Sequence, residues 1–192
     1  MPAHVVSETE GGAALRIAEI RRRATAMLTL LQLEKMELSV LLTDDDQIQK
    51  LNEMYRAKDR PTDVLAFAMR EGDFSALAGE LLGDVIISLP TAQRQAEERG
   101  VALLAEVTML LAHGLLHLLG WDHVTVKQDL AMQAEVARLC AAADKKKSPR
   151  VAKKKTPVQT KKKTRKPSPT ARKTSKAPKT PLSKKRSAKR LT

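Results

Sequence analysis

Apolar positions set out most of the secondary structure of this chain. From Ala13 to Gln32 they recur at three- and four-residue steps, at Leu15, Ile17, Ile20, Ala24, Met27, Leu28 and Leu31, which predicts an amphipathic helix. Met36 to Thr43 alternates and then runs apolar, as a strand does. Thr43-Asp44-Asp45-Asp46 follows, with carboxylates placed to cap a helix that runs to about Arg56. Pro61 breaks that helix, and Val64 to Ala68 reads as a second strand. A third strand lies within Gly79 to Leu89, where Gly83-Asp84 beside Val85-Ile86-Ile87 predicts a bulge or a close backbone approach. Asp84 is equally consistent with turn chemistry. Pro90 suits the first turn of a helix over 90–99, closed by Gly100. Residues 102–119 form an apolar helix through Leu104, Val107, Leu110, Leu111, Leu115 and Leu118, and a last helix covers about 126–142. Val5-Val6 reads as the stub of an edge strand, and His4 as an exposed terminal residue. Strands mixed with helices, without βαβ alternation throughout, predict an α+β, or mixed α/β, fold. A small mixed sheet would pack with helices around the buried apolar helix.

Charge divides the chain in two. Residues 1–144 hold 14 Lys and Arg against all 22 Asp and Glu, whereas residues 145–192 hold 21 Lys and Arg and no acid. The net charge of +13 therefore comes from the C-terminal segment alone. That segment has almost no large apolar residue, with Lys-Lys-Lys runs at 145, 153 and 161, so it is expected to stay disordered as a polycation. The domain expectation is a folded unit over 1–143 and a basic tail over 144–192. Such a tail binds phosphate without reading sequence, or acts as a passive solubilising extension. In composition only, it resembles linker-histone tails. Cys140 is the one cysteine, so no disulfide forms within the chain, which fits a reducing cytosol. The N-terminus lacks a signal-peptide pattern, and the longest apolar stretch, around 107–121, is too short to span a membrane. A cytoplasmic protein without membrane association is expected.

The candidate chemistry sits in His113-Gly114-Leu115-Leu116-His117-Leu118-Leu119-Gly120-Trp121-Asp122-His123, which carries three of the four histidines. His113 and His117 are four apart, so they share one helix face. Gly120 can end the helix in the left-handed conformation and bring His123 back as a third ligand. Three imidazoles favour zinc or another borderline first-row ion over magnesium or calcium. They also leave one coordination position open, as in catalytic zinc, where a coordinated water has a pKa of about 7. Histidines without a metal, or a structural metal, are the bland alternatives.

The spacing matches the metzincin protease motif H-E-x-x-H-x-x-G-x-x-H except that position 114 is glycine. The missing glutamate is the general base of peptide hydrolysis, so its absence weighs against a protease and leaves the metal cage intact.

Four segments in order, from about Leu38 to Leu139, resemble the YbeY family of bacterial endoribonucleases. They are Leu51-Asn52, Tyr55-Arg56 and Pro61-Thr62-Asp63-Val64-Leu65-x-Phe67; then Leu82-Gly83-Asp84-Val85-Ile86-Ile87-Ser88; then the histidine segment; then Met132-x-x-Glu135. The resemblance implies one zinc per chain, held by His113, His117 and His123, and a functional Arg56. It implies a single-strand-specific, metal-dependent endoribonuclease acting in maturation of the 16S rRNA 3′ end and in ribosome quality control. Its partners would be precursor rRNA and the ribosome or its small subunit. Ala66 and Ala68 stand where the family usually has Ser and Pro, and the basic tail lies outside the family pattern. Arg56 would neutralise charge that develops on the cleaved phosphodiester, or else pair with Asp59 or Asp63. Asp122 would orient an imidazole or cap its turn. Two other readings compete: a metalloprotease-like hydrolase, and a non-catalytic ribosome-assembly factor with a structural metal.

Overall fold

A computed structural model describes residues 3–9, 15–70, 79–122 and 124–145. The elements are β1 (Ala3–Ser7), α1 (Ile17–Leu30), β2 (Glu37–Thr43), α2 (Asp45–Arg56), β3 (Val64–Ala68), β4 (Leu81–Ser88), α3 (Leu89–Arg99), α4 (Leu103–Leu118) and α5 (Val126–Asp144). The four strands form one mixed sheet in the order β1-β2-β4-β3. β1 and β4 run parallel to β2, and β3 pairs antiparallel with β4. This is an α+β architecture, as the mixture of patterns predicts. Contacts divide the chain into two units, Met1–Arg150 and Val151–Thr192. The basic segment from 146 onward, including its expected disorder, lies outside the described residues.

Strand periodicity sorts the sheet's two faces. Val5, Leu38, Val40, Leu42, Val85 and Ile87 face the main core, which they share with Ile20, Met27 and Leu28 of α1, Leu111 and Leu115 of α4, and Leu139 of α5. The opposite face carries a smaller cluster of Ile48, Leu65 and Ile86, covered by α2. β4 is central and covered on both faces, which explains its nearly unbroken apolar run.

Helix boundaries follow from caps. The Asp44 carboxylate accepts from Gln47 N at 2.8 Å, which starts α2. Ser88 caps α3, and Gly100 ends it with φ +65°. Thr125 and Gln128 form a reciprocal capping box at the start of α5. Two helices differ from the expectation. α1 begins at Ile17 rather than Ala13, so the buried Leu15 packs from the approach to the helix, not from its first turn. It stops at Leu30 because Gln32 takes φ +61° and Leu33 N donates to Leu28 O at 2.8 Å. α5 continues to Asp144, where Arg22 holds its last carbonyls, donating to Ala143 O at 2.7 Å and Lys145 O at 3.1 Å.

Gly83 confirms the predicted close approach. It sits at the register shift between β2 and β4 with φ +146°, and a Cβ there would collide with the Phe67 carbonyl oxygen. Asp84 accordingly lies within β4, paired across from Ser39 and Phe67, and is not part of a turn. No single helix among the described residues is long and apolar enough to cross a membrane.

Candidate functional site

α4 is the scaffold of the site. Its buried face, including Val107, Leu110, Leu111, Leu115 and Leu118, packs into the main core, so its rotation about its own axis is fixed. Fixing that rotation leaves His113 and His117 half-buried on the side toward β3. Their Nε2 atoms stand 3.1 Å apart and their rings meet edge to face with centroids at 4.6 Å.

That separation fits a shared metal. Two nitrogens at about 2.0–2.1 Å from one tetrahedral zinc stand roughly 3.3 Å apart. An imidazole pair this close on consecutive helical turns is the bite the i, i+4 spacing predicts. α4 ends with Gly120 at φ +77°, the predicted left-handed stop, and Trp121 N donates to Leu116 O at 3.0 Å as the chain turns back. Asp122 is exposed after this turn, and His123 lies outside the described residues. Among the described residues no three potential metal ligands converge.

Arg56 reaches the same place from a different element. It is the last residue of α2, which ends because Ala57 takes a left-handed conformation with φ +54°. The following loop is held by Asn52, buried to 3 % exposure, whose Nδ2 donates to Arg60 O at 2.8 Å. A pocket of about 220 Å³ is lined by Arg56, Thr62, Asp63, Val64, Ala66, His113, Gly114 and His117. Arg56 and both histidines thus line one pocket, although 57 positions separate Arg56 from His113 in sequence.

The structural alternative for Arg56 finds no support among the described residues. Asp59 accepts from Gln49 Nε2 at 2.6 Å, and Asp63 accepts from Val64 N at 2.8 Å, Thr62 Oγ1 at 3.2 Å and Gln95 Nε2 at 3.1 Å. Neither carboxylate forms an ion pair with Arg56. Asp63 enters the sequence reading as part of the first motif and as a possible partner of Arg56, but nothing in the linear pattern shows that it lines the histidine pocket.

Gly114 explains the departure from the protease motif. A Cβ at this position would lie 2.8 Å from Val85 Cγ1, 3.2 Å from Val85 Cγ2 and 3.3 Å from Val64 Cγ2. α4 packs so closely on the sheet here that any side chain at this position, glutamate included, would force Val85 or the helix to shift.

Similarity to known proteins runs in the same direction. A family model described as Endoribonuclease YbeY matches residues 8–144. Curated relatives named Endoribonuclease YbeY include one from Aquifex aeolicus, 50% identical over 109 residues, covering 57% of this chain and 71% of that protein. One from Syntrophus aciditrophicus is 40% identical over 107 residues, covering 56% and 67%. A third, from Heliobacterium modesticaldum, is 50% identical over 110 residues, covering 53% and 66%. The chain spans about two thirds of the length of these relatives. A Thermotoga maritima protein solved in solution shares the fold with a TM-score of 0.54 at 24% identity, covering 73% of this chain and 88% of that one. The match begins just after β1, runs through α5 and takes in the histidine helix, Arg56 and the Gly83 bulge, and on that basis the chain belongs to the YbeY endoribonuclease family.

Proposed function

We propose that this protein is a metal-dependent endoribonuclease that cuts single-stranded precursor rRNA in the cytoplasm, at the 3′ end of 16S rRNA, and contributes to ribosome quality control. One observation carries the reading. Arg56 and the converging His113 and His117 imidazoles line one pocket, which brings a cation and two metal-type ligands to the same place.

The donor set favours zinc, with His113, His117 and His123 as its ligands and Asp122 orienting an imidazole. When bound, the metal supplies a Lewis acid against a phosphate oxygen. Arg56 does the complementary work. Phosphodiester cleavage concentrates negative charge on the non-bridging oxygens, and a planar guanidinium can donate two parallel hydrogen bonds to them. Its charge is not committed to an ion pair among the described residues, so binding an anion breaks no existing pair. The pocket is lined by Val64 and Ala66 of β3 and by His113, Gly114 and His117 of α4, and Arg56 stands exposed at it, within reach of a phosphate arriving from solvent.

The basic segment 145–192 is proposed to hold the enzyme on RNA or on the ribosome, since a polycation binds phosphate by releasing counterions. The protease reading is weaker, because Gly114 stands where that motif has its general-base glutamate and a side chain there would press on Val85. The assembly-factor reading predicts that ribosome maturation survives replacement of Arg56. The deciding experiment is metal analysis of the purified protein coupled to cleavage of an rRNA precursor with and without chelator. Loss of cleavage on chelation and its return with zinc are expected; cleavage indifferent to chelator would overturn the proposal.

A further inference from the structure

The pocket contains a carboxylate that the roles above leave unused. Asp63 sits at the loop-to-strand junction before β3, and its surroundings define how it is aimed. Oδ1 accepts from Val64 N at 2.8 Å and from Thr62 Oγ1 at 3.2 Å, while Oδ2 accepts from Gln95 Nε2 at 3.1 Å. A carboxylate offers about four acceptor positions. Both on Oδ1 are taken, and one on Oδ2 remains.

Gln95 reaches Asp63 from α3 at a visible cost. Its Oε1 is buried and has no hydrogen-bond partner among the described residues. An unsatisfied buried amide oxygen is unfavourable. Reversing the amide would not relieve it, because Oε1 would then face a carboxylate oxygen. The side chain is therefore committed to one orientation by its bond to Asp63. The carboxylate is held from three directions, by its own loop, by the start of β3 and by α3.

We infer that the remaining acceptor position on Asp63 Oδ2 takes the 2′-hydroxyl of the nucleotide on the 5′ side of the cleaved bond, with Gln95 as the positioning residue that aims it. This inference rests on the endoribonuclease reading and adds the group that distinguishes RNA from DNA. A carboxylate repels phosphate, so it has to meet a donor of the substrate. With the phosphate at Arg56 and the histidines, the donor nearest in the backbone is the ribose hydroxyl. DNA has nothing to offer at that point, and the lone pair would be left unpaired there, which is how a site built for a hydroxyl rejects its absence.

The test uses the full metal-loaded chain cleaving a labelled single-stranded RNA. Two unlabelled strands compete, one all-RNA and one with a single 2′-deoxy nucleotide 5′ of the cleaved bond. For wild type the inhibition constant of the deoxy strand should exceed that of the all-RNA strand by about 10-fold or more, the scale of a hydrogen bond to a charged group. Asp63→Ala and Gln95→Leu should bring that ratio toward one. A merely structural role would weaken both competitors together and leave the ratio unchanged. An unchanged ratio in both variants, or a ratio of one in wild type, overturns the inference while the endoribonuclease reading stands. Absence of all-RNA cleavage by wild type overturns that reading and this inference with it. Should Asp63→Ala fail to fold, Asp63→Asn and Gln95→Leu carry the same comparison.

Discussion

Gly114 of α4 lies so close to Val85 of β4 that a methyl group on its α-carbon would be 2.8 Å from Val85 Cγ1. The contact sets the depth at which the histidine helix rests on the sheet. It also places His113 and His117, on either side of the glycine, at a height where they share a pocket with Arg56. Gly114→Ala should therefore push α4 outward. The expected loss is about 1–3 kcal/mol, the range for overpacking a filled core, read by urea unfolding. Gly114→Glu should unfold the protein or strip its metal, and it should create no peptidase.

Removal of one imidazole tests the metal. His117→Ala takes away one of two nitrogens that stand 3.1 Å apart, so bound zinc and RNA cleavage should fall together. Metal content by elemental analysis and cleavage of a precursor RNA are the paired readouts. Cleavage equal to wild type would remove the metal from the mechanism.

Arg56→Ala separates activity from stability. The residue is exposed, ends a helix and forms no ion pair among the described residues. Its loss should change unfolding free energy by no more than about 0.5 kcal/mol. Cleavage should drop by about 10²–10³-fold, the scale of removing one preorganised donor from developing charge. Arg56→Lys should recover only part, because an ammonium lacks the planar fork. A comparable fall in both stability and activity would point to a structural arginine.

The contact between α1 and the end of α5 carries a pH-dependent clamp. Glu19 accepts from Arg22 Nε at 3.0 Å and Nη2 at 2.7 Å and from Arg23 Nε at 3.2 Å. The Arg22 hydrogen bonds, more than any other cause, hold the Glu19 carboxyl well below the usual range, at about 2. The same arginines secure the end of α5, Arg22 through Ala143 O and Arg23 through Asp144 Oδ1 at 2.5 Å. A carboxyl whose pKa is lower folded than unfolded stabilises fully above its unfolded value near 4.5, and that contribution disappears as pH falls toward 2. Glu19→Gln should thus lower the melting temperature at pH 7, and the gap from wild type should close by about pH 2–3. A gap that stays constant with pH would assign the effect to packing.

The basic segment is tested by truncation after Lys145, which preserves the carbonyl that Arg22 holds. RNA affinity at low salt should fall by more than tenfold. The slope of log affinity against log salt should also become shallower, because each phosphate neutralised contributes about 0.9 to the slope on duplexes and 0.7 on single strands. Unchanged affinity would leave the segment as a passive extension.

The sequence by itself determined most of the local structure and the shared helix face of His113 and His117. Periodicity, Gly100 and Gly120 are short-range signals, because a helix is built from neighbours within a few residues and a strand's alternation is local even though its partners are not; α2, by contrast, ends at Ala57, before the expected break at Pro61. Because helical neighbours are local, the four-residue spacing of His113 and His117 already implied a shared face. Tertiary structure decided what depends on partners far apart along the chain. The strand order β1-β2-β4-β3, the absence of room beside Gly114, and the meeting of Arg56, Asp63 and the histidines in one pocket all arise where α2, β3 and α4 pack together. The surroundings of Asp63, and Gln95 altogether, were invisible for that reason: a carboxylate's role is set by which donors surround it, and one of those donors comes from a helix 32 residues away.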